Sequence, residues 1–84
     1  RVSSYRTEHG AEVDFILEFG GEVIALEVKA SSNVGRSDLT GFKSFADYLG
    51  KKYRPVVLYL GPVRKVIAGV EVLPWQSFLK DIGL

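Results

Sequence analysis

The sequence predicts a mixed α/β sandwich around one sheet, in the order strand, strand, helix, strand, strand, helix. Three features predict it: two alternating segments joined by Gly20-Gly21, an apolar stripe at helical spacing from Leu39 to Leu49, and the continuous apolar run Val56 to Leu60. At 84 residues the chain forms one domain over 1–84, near the size at which a single hydrophobic core only just suffices. Its composition, 46% hydrophobic and 25% charged, suits a folded soluble chain and not a disordered or fibrous one.

Ala11–Phe19 and Glu22–Ala30 alternate as strands do, and Gly20-Gly21 between them is a strong two-residue hairpin signal. Ser31 to Arg36 is polar and reads as a loop, after which Ser37 is placed to cap a helix running to Leu49. Leu39, Phe42, Phe45, Ala46 and Leu49 form the buried stripe of that helix, and Gly50 supplies its stop. Val56 to Leu60 is apolar without alternation, the pattern of a central strand covered on both faces. Gly61-Pro62 makes a turn, Val63 to Ala68 reads as a strand near an edge, and Val70 to Leu73 as a short last one. Pro74 fits the first turn of a closing helix that buries Trp75, Phe78, Leu79 and Ile82.

Turn geometry sets the hairpin register: Asp14 faces Glu27, Glu12 faces Lys29 and Ile16 faces Ala25. Alternation then puts Glu12, Asp14, Glu27 and Lys29 on one face, continued by Ile16, Val23 and Ala25. Val13, Phe15, Leu17, Ile24, Leu26 and Val28 fall on the other face as core. Two carboxylates directly opposite one another repel by about 0.2–1 kcal/mol, and a divalent cation relieves that repulsion. With no cysteine and one histidine, any metal site must use oxygen ligands, which suits Mg²⁺ or Mn²⁺. A lysine on the same face can orient a metal-bound water or stabilise charge on a phosphate. The same four residues also fit a solvated strand face on which Glu12 and Lys29 form an exposed pair.

Asp14, followed by Glu27-Val28-Lys29 after the hairpin, resembles the core motif of the PD-(D/E)xK nuclease superfamily. More narrowly, Tyr5-Arg6-Thr7, Gly10 to Phe15, Glu27 to Ser31 and Val72 to Leu79 resemble the DUF4143 region, the C-terminal part of bacterial and archaeal AAA-type ATPases. The resemblance implies a restriction-endonuclease-like α/β fold, a mixed sheet flanked by helices. It further implies Asp14 and Glu27 as metal ligands, Lys29 as the catalytic lysine and Glu12 as an additional acid. Superfamily members carry another acid on a helix ahead of the hairpin, and here the chain is expected to be truncated at that helix. The absence of methionine, position 1 included, is what a fragment of a longer chain gives. The expected activity is Mg²⁺- or Mn²⁺-dependent hydrolysis of DNA phosphodiesters, and the alternative is an inactive module that docks nucleic acid or protein for its ATPase.

Ser31, Arg36 and Lys43 follow the motif and are candidate phosphate contacts, although turn-forming and solvated roles are the commoner ones for residues so placed. His9 reads as an exposed turn residue. No Gly-Lys-Ser/Thr loop occurs, so ATP binding is assigned to the partner ATPase domain of the parent chain. The net charge of +1 neither demands nor excludes DNA. No apolar run approaches the roughly 20 residues of a membrane span, so a cytoplasmic setting without membrane contact is expected. Sheet edges or the Trp75 helix are available for homo-oligomer formation.

Overall fold

Gly20 and Gly21 both take positive φ, 57° and 79°, and this tight turn folds the chain into a hairpin with Phe15 opposite Leu26, Ile16 opposite Ala25 and Leu17 opposite Ile24. In the computed structural model, which describes residues 1–83, the hairpin strands are β2 (Glu12–Phe19) and β3 (Glu22–Val28), preceded by β1 (Val2–Arg6). A 3₁₀ turn (Arg36–Leu39) leads into α1 (Thr40–Leu49), followed by β4 (Arg54–Tyr59), β5 (Lys65–Ile67), β6 (Val70–Pro74) and α2 (Trp75–Asp81). The six strands form one mixed sheet in the order β1-β2-β3-β4-β6-β5. β4 is central and runs parallel to both β3 and β6, while the remaining pairs are antiparallel. The class is therefore α/β, as expected, with β1 as an unanticipated strand on one edge and, on the other, β5, which lies within the Val63–Ala68 segment expected near an edge.

The buried faces depart from strict alternation. Across β1 and β2, Ser3 pairs with Ile16 but Tyr5 pairs with Val13, so β2 carries one extra residue in the stretch Asp14-Phe15. This bulge returns Val13 to the same face as Ile16. Val13 packs with Ile16, Val23, Ala25, Phe42, Phe45, Val57 and Val72 in the core layer beneath α1, not on the opposite face where alternation placed it. The second layer contains Ile24, Leu26, Val56, Leu58, Leu73 and Phe78, with Leu17 at its margin. Phe15 and Val28, also expected in the core, are 46% and 52% exposed. The reason is that α2 packs on β4 and β6 and leaves the β2 side of that face uncovered.

α1 lies across β2 and buries Gly41, Phe42 and Phe45. A Cβ on Gly41 would overlap the Glu12 carbonyl oxygen, so the missing side chain lets the helix backbone ride directly on the strand that carries the acids. The expected Ser37 cap is not used; Gly35 precedes the 3₁₀ turn, and the α-helix proper begins at Thr40. Gly50 closes α1, donating its N–H to the Ala46 carbonyl at 3.1 Å. Pro74 ends β6 and stands just before α2. Of the four residues expected on the buried side of α2, only Phe78 is fully buried; Trp75 is 44% exposed, Ile82 is exposed and Leu79 is half-buried. No helix among the described residues is long and apolar enough to cross a membrane.

Candidate functional site

β3 and β4 end side by side, with Val28 opposite Leu58, and the Lys29 N–H continues the pairing to the Leu58 carbonyl at 2.8 Å. The carboxyl ends of parallel strands are where α/β proteins gather functional side chains, and the β2 bulge brings Asp14 to this end. The β2–β3 ladder stops at Phe15 and Leu26, and side chains take over. The Asp14 N–H donates to Glu27 Oε1 at 2.8 Å, and the Val28 N–H donates to Asp14 Oδ2 at 2.8 Å. Each carboxylate thus stands in for a backbone acceptor of the neighbouring strand, which fixes the two acids beside one another despite their repulsion.

That repulsion is visible in Glu27. Burial, followed by the charge of Asp14, pushes its carboxyl up to about 7; the Asp14 N–H opposes the rise and Glu12 adds to it. A group whose folded pKa is raised from 4.5 to about 7 imposes no penalty below pH 4.5, a growing one between the two values and its full penalty above 7. Such a shift corresponds to about 3 kcal/mol if unscreened, and solvent around this half-exposed side chain reduces it to about 1–2 kcal/mol. Glu27→Gln keeps an oxygen for the Asp14 N–H and loses the charge. Thermal melts without divalent ions are expected to show the variant about 1–2 kcal/mol more stable than wild type at pH 8, with the difference largely gone at pH 5. A difference independent of pH would contradict this assignment of strain.

Glu12 and Lys29 do not face each other, because the bulge ends the simple register before reaching them. Glu12 pairs instead with Arg6 on the neighbouring edge strand at 3.2 Å. Lys29 Nζ meets Asp38 Oδ1 at 2.8 Å, and the other Asp38 oxygen accepts the Gly35 N–H at 2.9 Å. The Gly35 N–H, and then Lys29, hold the Asp38 carboxyl below its usual range. Asp38 has no place in the sequence reading, where Ser37 was the expected cap; an acid in the first turn after Gly35 was the available signal.

Ser31 is tied into the local turn: its N–H donates to the Lys29 carbonyl at 2.8 Å and its hydroxyl accepts the Asn33 N–H at 3.0 Å. Arg36 is exposed at the start of the 3₁₀ turn that carries Asp38. Lys43 borders a separate groove between α1, Tyr53, Pro55 and the Ala68-Gly69 turn, so the fold does not bring it to the acids. His9 is exposed in the turn before β2.

Asp14 and Glu27 suit a hard divalent cation. Both donors are carboxylates, each has one oxygen held in place by a backbone N–H, and their mutual repulsion is the kind a cation relieves. No group of three or more His, Cys, Asp or Glu among the described residues is arranged to hold a metal.

A family model described as a domain of unknown function, DUF4143, matches residues 1–78. The chain belongs to the DUF4143 family. No curated protein and no solved structure gives a significant match. In this DUF4143 domain the matched span includes the whole hairpin, the Asp38 turn and the strands that position Lys29.

Proposed function

We propose that this DUF4143 domain is a nuclease-like module in which Asp14 and Glu27 bind Mg²⁺ or Mn²⁺ and Lys29 assists attack of water on a DNA phosphodiester. The observation that carries the reading is the reciprocal hold of the two acids on the strand backbones, with the Glu27 carboxyl raised to about 7. Such an arrangement holds charge repulsion where the start of β2 meets the carboxyl end of β3, and perturbed carboxyls of this kind cluster at functional sites. The sequence Asp14…Glu27-Val28-Lys29 resembles the PD-(D/E)xK motif. A hairpin followed by a helix and a central parallel strand, here β2, β3, α1 and β4, agrees with the core of restriction-endonuclease-like folds. In this reading the domain serves an AAA-type ATPase in the same parent chain, and DNA as substrate rests on the resemblance.

A bound divalent ion would polarise a phosphate oxygen and lower the pKa of its water. Asp14 and Glu27 would fix the ion relative to the strand ends, and the Lys29 ammonium would stabilise charge on the phosphate.

The test is calorimetric titration of Mg²⁺ and Mn²⁺ into wild type and Asp14→Asn, alongside cleavage of linear and branched DNA by the longest form of the protein. The variant keeps a side-chain oxygen for the Val28 N–H but loses an anionic ligand, and its dissociation constant is expected to rise at least about tenfold. Loss of metal binding together with metal-dependent cleavage supports the nuclease. Metal binding by a wild type that cleaves nothing makes the domain a docking module, and wild type without metal affinity returns the acids to a solvated surface role.

A further inference from the structure

Lys29 follows Glu27 at the same strand end, and its flexible four-carbon stem gives the ammonium two acidic destinations, the Asp14–Glu27 pair and Asp38. It rests on Asp38, with Nζ 2.8 Å from Oδ1. We propose that Asp38 is a positioning residue that withholds the Lys29 ammonium from the Asp14–Glu27 pair and thereby keeps that pair open to a divalent cation. The inference rests on the metal-binding reading of the two acids.

Both ends of the contact are anchored. The Lys29 backbone is fixed by its N–H to the Leu58 carbonyl and by its own carbonyl, which accepts the Ser31 N–H, each at 2.8 Å. Asp38 is held by the Gly35 N–H on Oδ2 at 2.9 Å and by its own N–H to the Gly35 carbonyl at 3.0 Å. The next residue, Leu39, is buried in the core and pins the turn. Asp38 therefore keeps its position whether or not Lys29 is present, as a positioning group must. Lys29 Nζ pairs with Asp38 at 2.8 Å and, among the described residues, lies within ion-pair distance of no other carboxylate. The acids thus keep their repulsion even with a lysine two residues from Glu27. Were Asp38 neutral, the ammonium would find its strongest nearby partner in the two carboxylates and compete with the metal for their oxygens.

The experiment is a double-mutant cycle read by metal binding. Mg²⁺ or Mn²⁺ alone is titrated calorimetrically into wild type, Asp38→Asn, Lys29→Met and the double variant. Asparagine retains an oxygen for the Gly35 N–H, so the turn stays in place. Asp38→Asn is expected to weaken metal binding about tenfold, and adding Lys29→Met is expected to restore it to within about twofold of wild type. Wild-type affinity in Asp38→Asn, or a double variant as weak as Asp38→Asn alone, overturns the proposal, because the second result means that Asp38 acts through the fold and not through Lys29. Ammonium-detected NMR of the metal-free protein gives an independent reading. The Lys29 signal should move in Asp38→Asn and stay in Asp14→Asn, and the reverse pattern overturns the proposal. A wild type without metal affinity refutes the nuclease reading and with it the role assigned to Asp38, whereas metal-binding wild type with the reversed NMR pattern refutes the Asp38 role alone.

Discussion

If the domain is the proposed nuclease, replacing Lys29 with methionine is expected to lower its metal-dependent DNA cleavage about 10²–10⁴-fold, the range associated with loss of a general acid–base or charge-stabilising group, while Mg²⁺ affinity stays within a few-fold of wild type. Methionine keeps the apolar stem of the side chain and loses only the ammonium. The side chain is partly exposed, as is that of Asp38, so the fold does not depend on it, and circular dichroism should show wild-type melting. The dissociation of rate from binding is the informative part. If Lys29 acts on the phosphate, kcat falls and the metal titration does not change. If cleavage persists at the wild-type rate in a well-folded Lys29→Met, the lysine is no part of the reaction and the docking role becomes the better account. Lys29→Arg separates charge from geometry: the guanidinium restores the positive charge but is planar and longer, so partial recovery means that placement of the charge matters.

Much of this site is legible in the sequence because a Gly-Gly turn leaves only one comfortable hairpin register. The Ile16–Ala25 pair falls where that register requires, and Asp14 and Glu27 come together just past the end of the ladder, through side-chain hydrogen bonds to the strand backbones. Central placement of β4 is legible for a similar reason, since Val56 to Tyr59 are all buried and their sequence shows no alternation. The hidden part begins at the bulge. One extra residue in β2 reverses the side on which Val13 lies, and it depends on pairing with β1, a strand whose polar Ser3 and Ser4 give no strand signal. The same bulge separates Glu12 from Lys29 and frees each for another partner, Arg6 and Asp38. The Lys29–Asp38 contact joins a strand end to a helix approach, a tertiary closeness that no local periodicity encodes. At the other edge, the β5–β6 turn uses Ala68 at φ 51° and Gly69 at φ 81°; alanine seldom takes that conformation, which masks a tight hairpin.

The largest loss of stability is expected from Phe78→Ala, about 3–5 kcal/mol by urea unfolding. Phe78 is 1% exposed and packs with Ile24, Leu26, Val56, Leu58 and Leu73, and among the residues of α2 it alone is buried. The helix is too short to persist without tertiary contacts, so removing the ring both opens a cavity and releases α2 from β4 and β6. In a domain of this size the loss is a large share of the total stability, which is typically about 5–15 kcal/mol. Trp75→Ala is the control. Trp75 is a larger ring in the first turn of the same helix but half out of the sheet, and its loss is expected to be clearly smaller. If the two variants are equally destabilised, Trp75 belongs to the core and the open edge of that face is closed in solution. If Phe78→Ala is mild, α2 is dispensable. The sheet would then hold the ends of β3 and β4, and with them Lys29, from the α1 side alone.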